Sequence, residues 1–397
     1  MSLLEGFKEY LSPVLGRYFD DFEVVSGKGC YLYDKNGKKY LDFSSGIATC
    51  STGHCHPKLV KAAVEQTKRL IHICIGVGLY EPYVNLGEEI RKIAPMSDSQ
   101  IFCCQSGAEA VEASLKLAKY ATKKTGIIAF QGAFHGRTLG ALSVTTSKMK
   151  YREGYDPLLP EVYIAPFDLA VVEGLLKEHE IAGIIIEPIL GEGGYLVVEK
   201  EFVQGLRKLC DQYGSLLIFD EVQTGIGRTG HWFAAHHFDV VPDIMCLAKG
   251  VASGFPLGVC VAKKEVMAKW SPGAHGSTYG GNPICCAAAI ATIKVITEKD
   301  LVSKAEKLGK YFKKKLKDLQ KKYSRIKEVR GMGLMLGVDF GENAPVKKVM
   351  NYCLNEGLVL ISTGGDGTVI RFVPPLIVKK PQIDQALVIF EKALGNL

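Results

Sequence analysis

The run Leu216-Leu217-Ile218-Phe219-Asp220-Glu221 ends on two carboxylates, and further along Leu247-Ala248-Lys249-Gly250 sets a lysine among apolar and glycine neighbours. The apolar run reads as a buried strand, so its acids fall at a strand end, where ligands gather in α/β sheets. A carboxylate buried there costs free energy unless it meets a cation or several donors. A lysine desolvated by apolar neighbours has a lowered pKa and a nucleophilic amine. Taken alone, Lys249 reads as a snorkelling surface side chain. Its pairing with Asp220 is more specific. Pyridoxal phosphate needs an amine for its aldehyde and a carboxylate that keeps its pyridine protonated as an electron sink.

Such a cofactor also brings a phosphate. Cys104-Gln105-Ser106-Gly107-Ala108-Glu109-Ala110 follows a predicted strand and opens a helix with Val111, Leu115 and Ala118 on one face. Ser106 and Glu109 have the spacing of a capping box. The same helix start offers free N–H groups, a hydroxyl and the positive dipole end to an anion, a reading that Asp220 and Lys249 favour. The rival is the GxGxxG of Gly225, Gly227 and Gly230, which suggests a dinucleotide fold. There, however, the glycines should leave the strand directly and enter a helix. Here 221–224 intervene, the glycines lead into His231-Trp232-Phe233, and the run lies in mid-chain.

These residues need elements to hold them. Short β-rich runs at 100–104, 126–130, 182–186, 216–219 and 257–262 alternate with amphipathic helical stretches, the pattern of an α/β layered domain. Before them, 29–43 reads as two short strands about an Asn36-Gly37 turn. After them come a long helix, a lysine-rich helix over 304–322 with Ala305, Leu308, Phe312, Leu316 and Leu319 on its inner face, and strand-like runs near 333–340 and 358–362. The expected division is an N-terminal segment 1–56, a large domain 57–289 and a small domain 290–397.

The 397 residues suffice for two or three domains, and the hydrophobic and charged fractions of 47% and 23% are those of an ordinary globular protein. No stretch approaches a membrane span and no signal-peptide core opens the chain, so a soluble, cytoplasmic protein without membrane contact is expected. Twelve cysteines without a CxxC pair fit a reducing compartment. His54-Cys55-His56 and His236-His237 lack the further cluster that a metal site requires, so no metal is expected. The net charge of +7 resides largely in the lysine-rich helix, whose solvated face is a better reading than nucleic-acid binding.

Taken in order, the motifs resemble the class III (subgroup II) aminotransferases, those of 4-aminobutyrate, acetylornithine and ornithine. They are Gly-Ile-Ala at 46–48, Gly-His-Cys-His-Pro at 53–57, Ser-Gly-Ala-Glu-Ala at 106–110, Phe-His-Gly-Arg-Thr at 134–138 and Glu-Pro-Ile-Leu-Gly-Glu-Gly-Gly at 187–194. Asp-Glu-Val-Gln-Thr-Gly-Ile-Gly-Arg-Thr-Gly follows at 220–230 and Leu-Ala-Lys-Gly at 247–250. The series closes with His-Gly-Ser-Thr-Tyr-Gly-Gly-Asn-Pro at 275–283 and Arg-Phe-Val-Pro-Pro-Leu at 371–376.

The resemblance implies the type I pyridoxal-enzyme fold, a mostly parallel seven-stranded sheet flanked by helices plus a small α+β domain. Lys249 matches the lysine that binds the cofactor and Asp220 the partner of its ring nitrogen. Ser106, Gly107 and Ala108 match the phosphate cradle, Phe134 the stacked aromatic, and Gln223 the donor near the ring hydroxyl. His135 and Glu187 fall among the cofactor contacts. Thr278 matches a phosphate ligand from the other subunit, so a homodimer with shared sites is implied, with a dimer of dimers as an extension. Ile47 and Arg137 fall in the donor pocket. Glu192 and Arg371 match a switchable pair, with Arg371 taking the α-carboxylate of glutamate or 2-oxoglutarate.

The implied reaction moves the amino group of an ω-amino acid to 2-oxoglutarate, giving an aldehyde or semialdehyde and glutamate. The main expectation for the donor is 4-aminobutyrate, since the stretch 357–365 before Arg371 looks closer to the 4-aminobutyrate enzymes and Ile47 stands where ornithine enzymes carry tyrosine. The alternatives are acetylornithine or ornithine, to whose enzymes the modest length is nearer, and a racemase or epimerase outcome on the same fold. Leu190 and Gln105 depart from the common Gln and Asn of the family motifs and bear on the donor pocket.

Overall fold

The structure is a computed structural model that describes residues 2–342 and 344–397. Its centre is a sheet of seven strands: β1 (Ser99–Cys104), β2 (Gly126–Phe130), β3 (Val162–Ala165), β4 (Ile181–Ile186), β5 (Leu216–Asp220), β6 (Ile244–Leu247) and β7 (Gly258–Lys263). The spatial order is β1-β7-β6-β5-β4-β2-β3, and β7 alone runs antiparallel to its neighbours. β2, β4 and β6 are buried at every position, and β2 and β4 accordingly read as continuous apolar runs without alternation. β3 and β6, four residues each, are missing from the strands read in the sequence. Both are too short to stand out from neighbouring loops.

Three helices matter most for the site and its support: α1 (Gly107–Thr122), α2 (Pro283–Glu298) and α3 (Leu301–Lys322). α1 starts directly off β1, with Ala110, Val111, Leu115 and Ala118 buried against the sheet. α3 is the lysine-rich helix. Ala305, Phe312, Leu316 and Leu319 face inward, while Lys304, Lys307, Lys314 and Lys317 remain exposed. Among the described residues, no helix is long and apolar enough to cross a membrane.

A second, antiparallel sheet comprises Glu328–Met332, Met335–Asp339, Val369–Phe372 and Ile361–Thr363. A third joins the two ends of the chain. Ser26–Lys28, Tyr31–Tyr33 and Lys39–Asp42 pair antiparallel, and Leu358–Val359 then adds parallel to Lys39–Asp42. The turn between the second and third strands is built by Asp34, whose Oδ1 accepts from the N–H groups of Asn36 and Lys38 at 2.9 Å each. A file of edge-to-face aromatics runs Phe43, Phe312, Phe372, Phe390, with centroids 5.9, 5.3 and 5.1 Å apart. It ties the N-terminal strands, α3, the second sheet and the C-terminal helix into one core.

The Gly225, Gly227 and Gly230 run enters no helix. It is a series of turns whose Arg228 is 1% exposed and donates to the carbonyls of Leu334 and Pro374. His54 bonds Asp42 (2.7 Å), His56 contacts Lys299 (3.0 Å) and His237 contacts Thr229 (3.1 Å). These histidines are engaged in separate structural contacts.

Candidate active site

β5 and β6 lie side by side and parallel, with Asp220 opposite Cys246. Asp220 is therefore the last residue of one strand, and Lys249 follows the end of the next by two positions. α1 begins nearby. Gly107 packs so closely that a Cβ on it would stand 3.0 Å from Val222 and 3.6 Å from Ala248. These strand ends and the start of α1 enclose a cleft of about 460 Å³. Ser106, Gly107, Ala108, Phe134, His135, Arg137, Glu187, Asp220, Gln223 and Lys249 all line it.

Asp220 is 4% exposed. Its Oδ2 meets His135 Nδ1 at 2.7 Å and its Oδ1 accepts the Val222 N–H at 3.0 Å. His135 is buried as well, and among the described residues its Nε2 has no partner. Burial pulls the Lys249 ammonium below the ordinary lysine value, against the opposing carboxylates of Asp220, Glu192 and Glu187. Lys249 also takes φ +45, a conformation non-glycine residues rarely hold, at the tight turn that follows β6. Burial pushes the Glu187 carboxyl up to about 7, although His135 and the N–H groups of Phe134 (2.7 Å) and Gly191 (2.9 Å) pull the other way.

At the start of α1, Ser106 Oγ accepts the Glu109 N–H at 3.2 Å. The Glu109 carboxylate takes the Gln105 N–H (2.8 Å) rather than that of Ser106, so only half of the expected capping box forms. Ser106 Oγ and carbonyl hold the N–H groups of Glu109 and Ala110, which leaves those of Gly107 and Ala108 as the open donors of the first turn. The Gln105 side chain lies 3.0 Å from Ser277 Oγ and ties the 275–283 segment to this corner.

Arg371 is fully buried in the strand Val369–Phe372. Its Nη1 meets Glu192 Oε1 at 2.5 Å and its Nη2 donates to Tyr18 Oη at 2.8 Å. Burial alone would lower this guanidinium, but the facing Glu192 carboxylate more than reverses that and raises it. Arg137 is exposed, with its guanidinium over the Tyr151 ring at 4.0 Å, and Phe134 meets the same ring edge-on. Gln223 accepts from the Tyr195 hydroxyl at 2.7 Å. Thr278 is exposed and does not line the cleft of its own chain. Ile47, 41% exposed in a left-handed turn at φ +63, does not line it either.

Sequence reasoning missed Tyr18, Val222 and Tyr195. Tyr18 belongs to no motif and reaches Arg371 only through the fold. Val222 lies between Asp220 and Gln223, and an apolar residue in a polar motif was the one available signal.

Fold and site define a pyridoxal-phosphate enzyme, with a lysine and a carboxylate on adjacent strand ends and an anion-ready helix start beside them. Residues 17–394 match the family model described as aminotransferase class-III, and the chain belongs to that family. It is 45% identical over 366 residues to an acetylornithine aminotransferase of Archaeoglobus fulgidus, covering 92% of this chain and 93% of that protein. It is 40% identical to the 5-aminovalerate aminotransferase DavT of Pseudomonas aeruginosa, covering 92% of each. An ornithine aminotransferase of Toxoplasma gondii, solved with partial occupancy of pyridoxal phosphate at its active site, superimposes with TM-score 0.92 at 30% identity, covering 98% and 93% of the two chains. The expected type I fold and cofactor are those of this family.

Proposed function

We propose that the chain transfers the terminal amine of acetylornithine to 2-oxoglutarate, forming the N-acetylated semialdehyde and glutamate. This moves the donor from 4-aminobutyrate to one of the alternatives, because acetylornithine aminotransferases stand among its relatives at 43–45% identity. The observation that carries the ω-amine reading is the buried Glu192–Arg371 pair. Paired, the two charges cancel and suit a donor with no carboxylate next to its reacting amine. Unpaired, the guanidinium fork suits the α-carboxylate of 2-oxoglutarate or glutamate. Arg137, exposed at the cleft wall, is the group read as holding the donor's distal carboxylate.

The residues fit the cofactor. Gly107 and Ala108 N–H with Ser106 Oγ would hold its phosphate, Asp220 its ring nitrogen, Gln223 its ring hydroxyl and Lys249 its aldehyde, with Phe134 against its ring. His135 fixes Asp220 through Nδ1. Glu187 anchors the Phe134 backbone. Thr278, exposed on its own subunit, is read as reaching the phosphate of a second copy in a homodimer. When bound, the cofactor draws electrons from the substrate carbon that carries the amine. Lys249 takes the proton from that carbon and returns it during transfer, a role its burial favours by disfavouring the charged amine.

A panel of amino donors against 2-oxoglutarate, read as glutamate formed, tests the donor. Acetylornithine is expected to give the highest kcat/KM. A tenfold advantage for 4-aminobutyrate or 5-aminovalerate would overturn the donor reading, and loss of donor chirality without glutamate would point to the racemase alternative. Asp220→Asn is expected to fold, since the shape is kept, but to lose roughly two to four orders of magnitude in kcat, the scale of losing one charge of a buried pair. Steady-state kinetics beside circular dichroism checks this, and unchanged kcat would remove Asp220 from its role.

A further inference from the structure

The segment 191–195 turns between the paired strands Ile189–Leu190 and Leu196–Val197, and Glu192 lies within it. Its backbone is fastened to the second sheet and its flanks. Thr363 Oγ1 donates to the Gly191 carbonyl (2.9 Å), the Gly364 N–H to that of Glu192 (3.1 Å) and Arg330 Nε to that of Gly194 (2.7 Å). Tyr195 ends the segment. Its N–H donates to the Leu190 carbonyl at 2.8 Å, and its side chain belongs to a buried cluster with Ala48, Ile189, Met335 and Val373. Its backbone holds φ +61, a left-handed conformation that bulky residues rarely adopt. Strain of this kind costs free energy and clusters at functional sites.

The turn delivers one hydroxyl to the cofactor motif. Tyr195 Oη donates to Gln223 Oε1 at 2.7 Å. Burial raises the Tyr195 hydroxyl above its ordinary range, although the Arg371 guanidinium pulls the other way, so the group keeps a proton to give. Gln223 is itself buried and lines the cleft. With Oε1 taken, the N–H groups of Nε2 are the donors that the amide has left. Space for them comes from Gly191, where a Cβ would stand 2.3 Å from Nε2.

We propose that Tyr195 is a positioning residue, which turns Gln223 so that an N–H and not the carbonyl oxygen meets the ring hydroxyl of the cofactor; this rests on the reading of Gln223 as the donor to that hydroxyl. The two ends of an amide are nearly equal in shape, and only their hydrogen bonds decide which way it lies. Without the tyrosine proton the amide is free to turn over, and two oxygens that both accept would then face each other. An N–H given to the ring oxygen favours its charged form. It thereby loosens the hold of the Lys249 nitrogen, once joined to the cofactor, on the proton between the two. Losing that N–H lets the nitrogen keep its proton to higher pH.

The test titrates the visible absorbance of the cofactor-loaded enzyme against pH. In Tyr195→Phe, which keeps the ring in its packing, the midpoint is expected to rise by roughly one to two pH units, the worth of a hydrogen bond to a charged group. Gln223→Ala should give a rise of the same order. The double variant should shift no further than Gln223→Ala alone, because the tyrosine acts only through the amide. An unmoved midpoint in Tyr195→Phe overturns the proposal, whatever happens to its Tm, since a hydroxyl that merely supports the fold changes melting and not this titration. Additive shifts in the double variant overturn it too. If Gln223→Ala alone raises the midpoint, Gln223 keeps its role and Tyr195 loses its own. If neither variant moves it, the reading of Gln223 falls as well.

Discussion

Lys249→Ala is expected to abolish amino transfer while leaving the fold intact. Two contributions vanish together, the amine that engages the cofactor and the proton carrier at the reacting carbon. Positioned acid–base catalysis alone contributes about 10²- to 10⁴-fold, so the combined loss should exceed that range. The stability consequence has a definite sign. A lysine whose folded pKa lies below its unfolded value opposes folding below the unfolded pKa, because the unfolded chain binds the extra proton. Alanine removes that opposition. The cofactor-free variant should therefore melt at the same temperature as the cofactor-free wild type or above it. Glutamate formation and thermal melts check both claims. Turnover near the wild-type rate would end the assignment of Lys249, and a large drop in Tm would mean that the lysine supports the fold instead.

Arg371→Ala is expected to separate the two halves of the reaction. The acceptor 2-oxoglutarate presents an α-carboxylate to this guanidinium, whereas the ω-amine end of the donor presents none. Removing one member of a desolvated charge pair costs about 3–5 kcal/mol, or roughly two to four orders of magnitude in kcat/KM. That loss should fall on the 2-oxoglutarate half. The donor half should suffer less, although Glu192 is left in place without its cation and Tyr18 without its donor. Single-turnover spectra of the cofactor report each half separately. Equal losses in both halves would remove the two-substrate switch while leaving the family assignment untouched.

Much of this was legible in the sequence because the chemistry is local. Asp220 sits at the end of an apolar run that reads as a strand, and Lys249 stood out by its apolar neighbours and its pairing with Asp220. The start of α1 was legible for the same reason, since Ser106 and the glycine after it mark a helix boundary. The geometry behind Arg371 was legible only in part, Glu192 through the family motifs and Tyr18 not at all. Its partners Glu192 and Tyr18 are 179 and 353 positions away, and a pairing over that distance leaves no periodicity to read. Local patterns also overreached at Glu109, whose carboxylate turned to Gln105, and fell short at β3 and β6, where four residues are too few to declare a strand. The donor lay beyond the motifs altogether, because Arg137 and the Glu192–Arg371 pair suit every ω-amine donor considered.

The parallel pairing of Leu358–Val359 with Lys39–Asp42 has a consequence for the birth of the molecule. On a ribosome the N-terminal strands emerge early, yet the neighbour that completes their sheet is made more than three hundred residues later. At about 5–20 residues per second, that is a wait of roughly 15 to 65 seconds. Until then the outer edge of Lys39–Asp42 stays open to other extended chains. The strand that carries Arg371 is made later still. The central sheet, with Asp220 and Lys249, can thus collapse during synthesis. The Arg371 pocket, proposed to take the keto acid, has to wait for almost the whole chain.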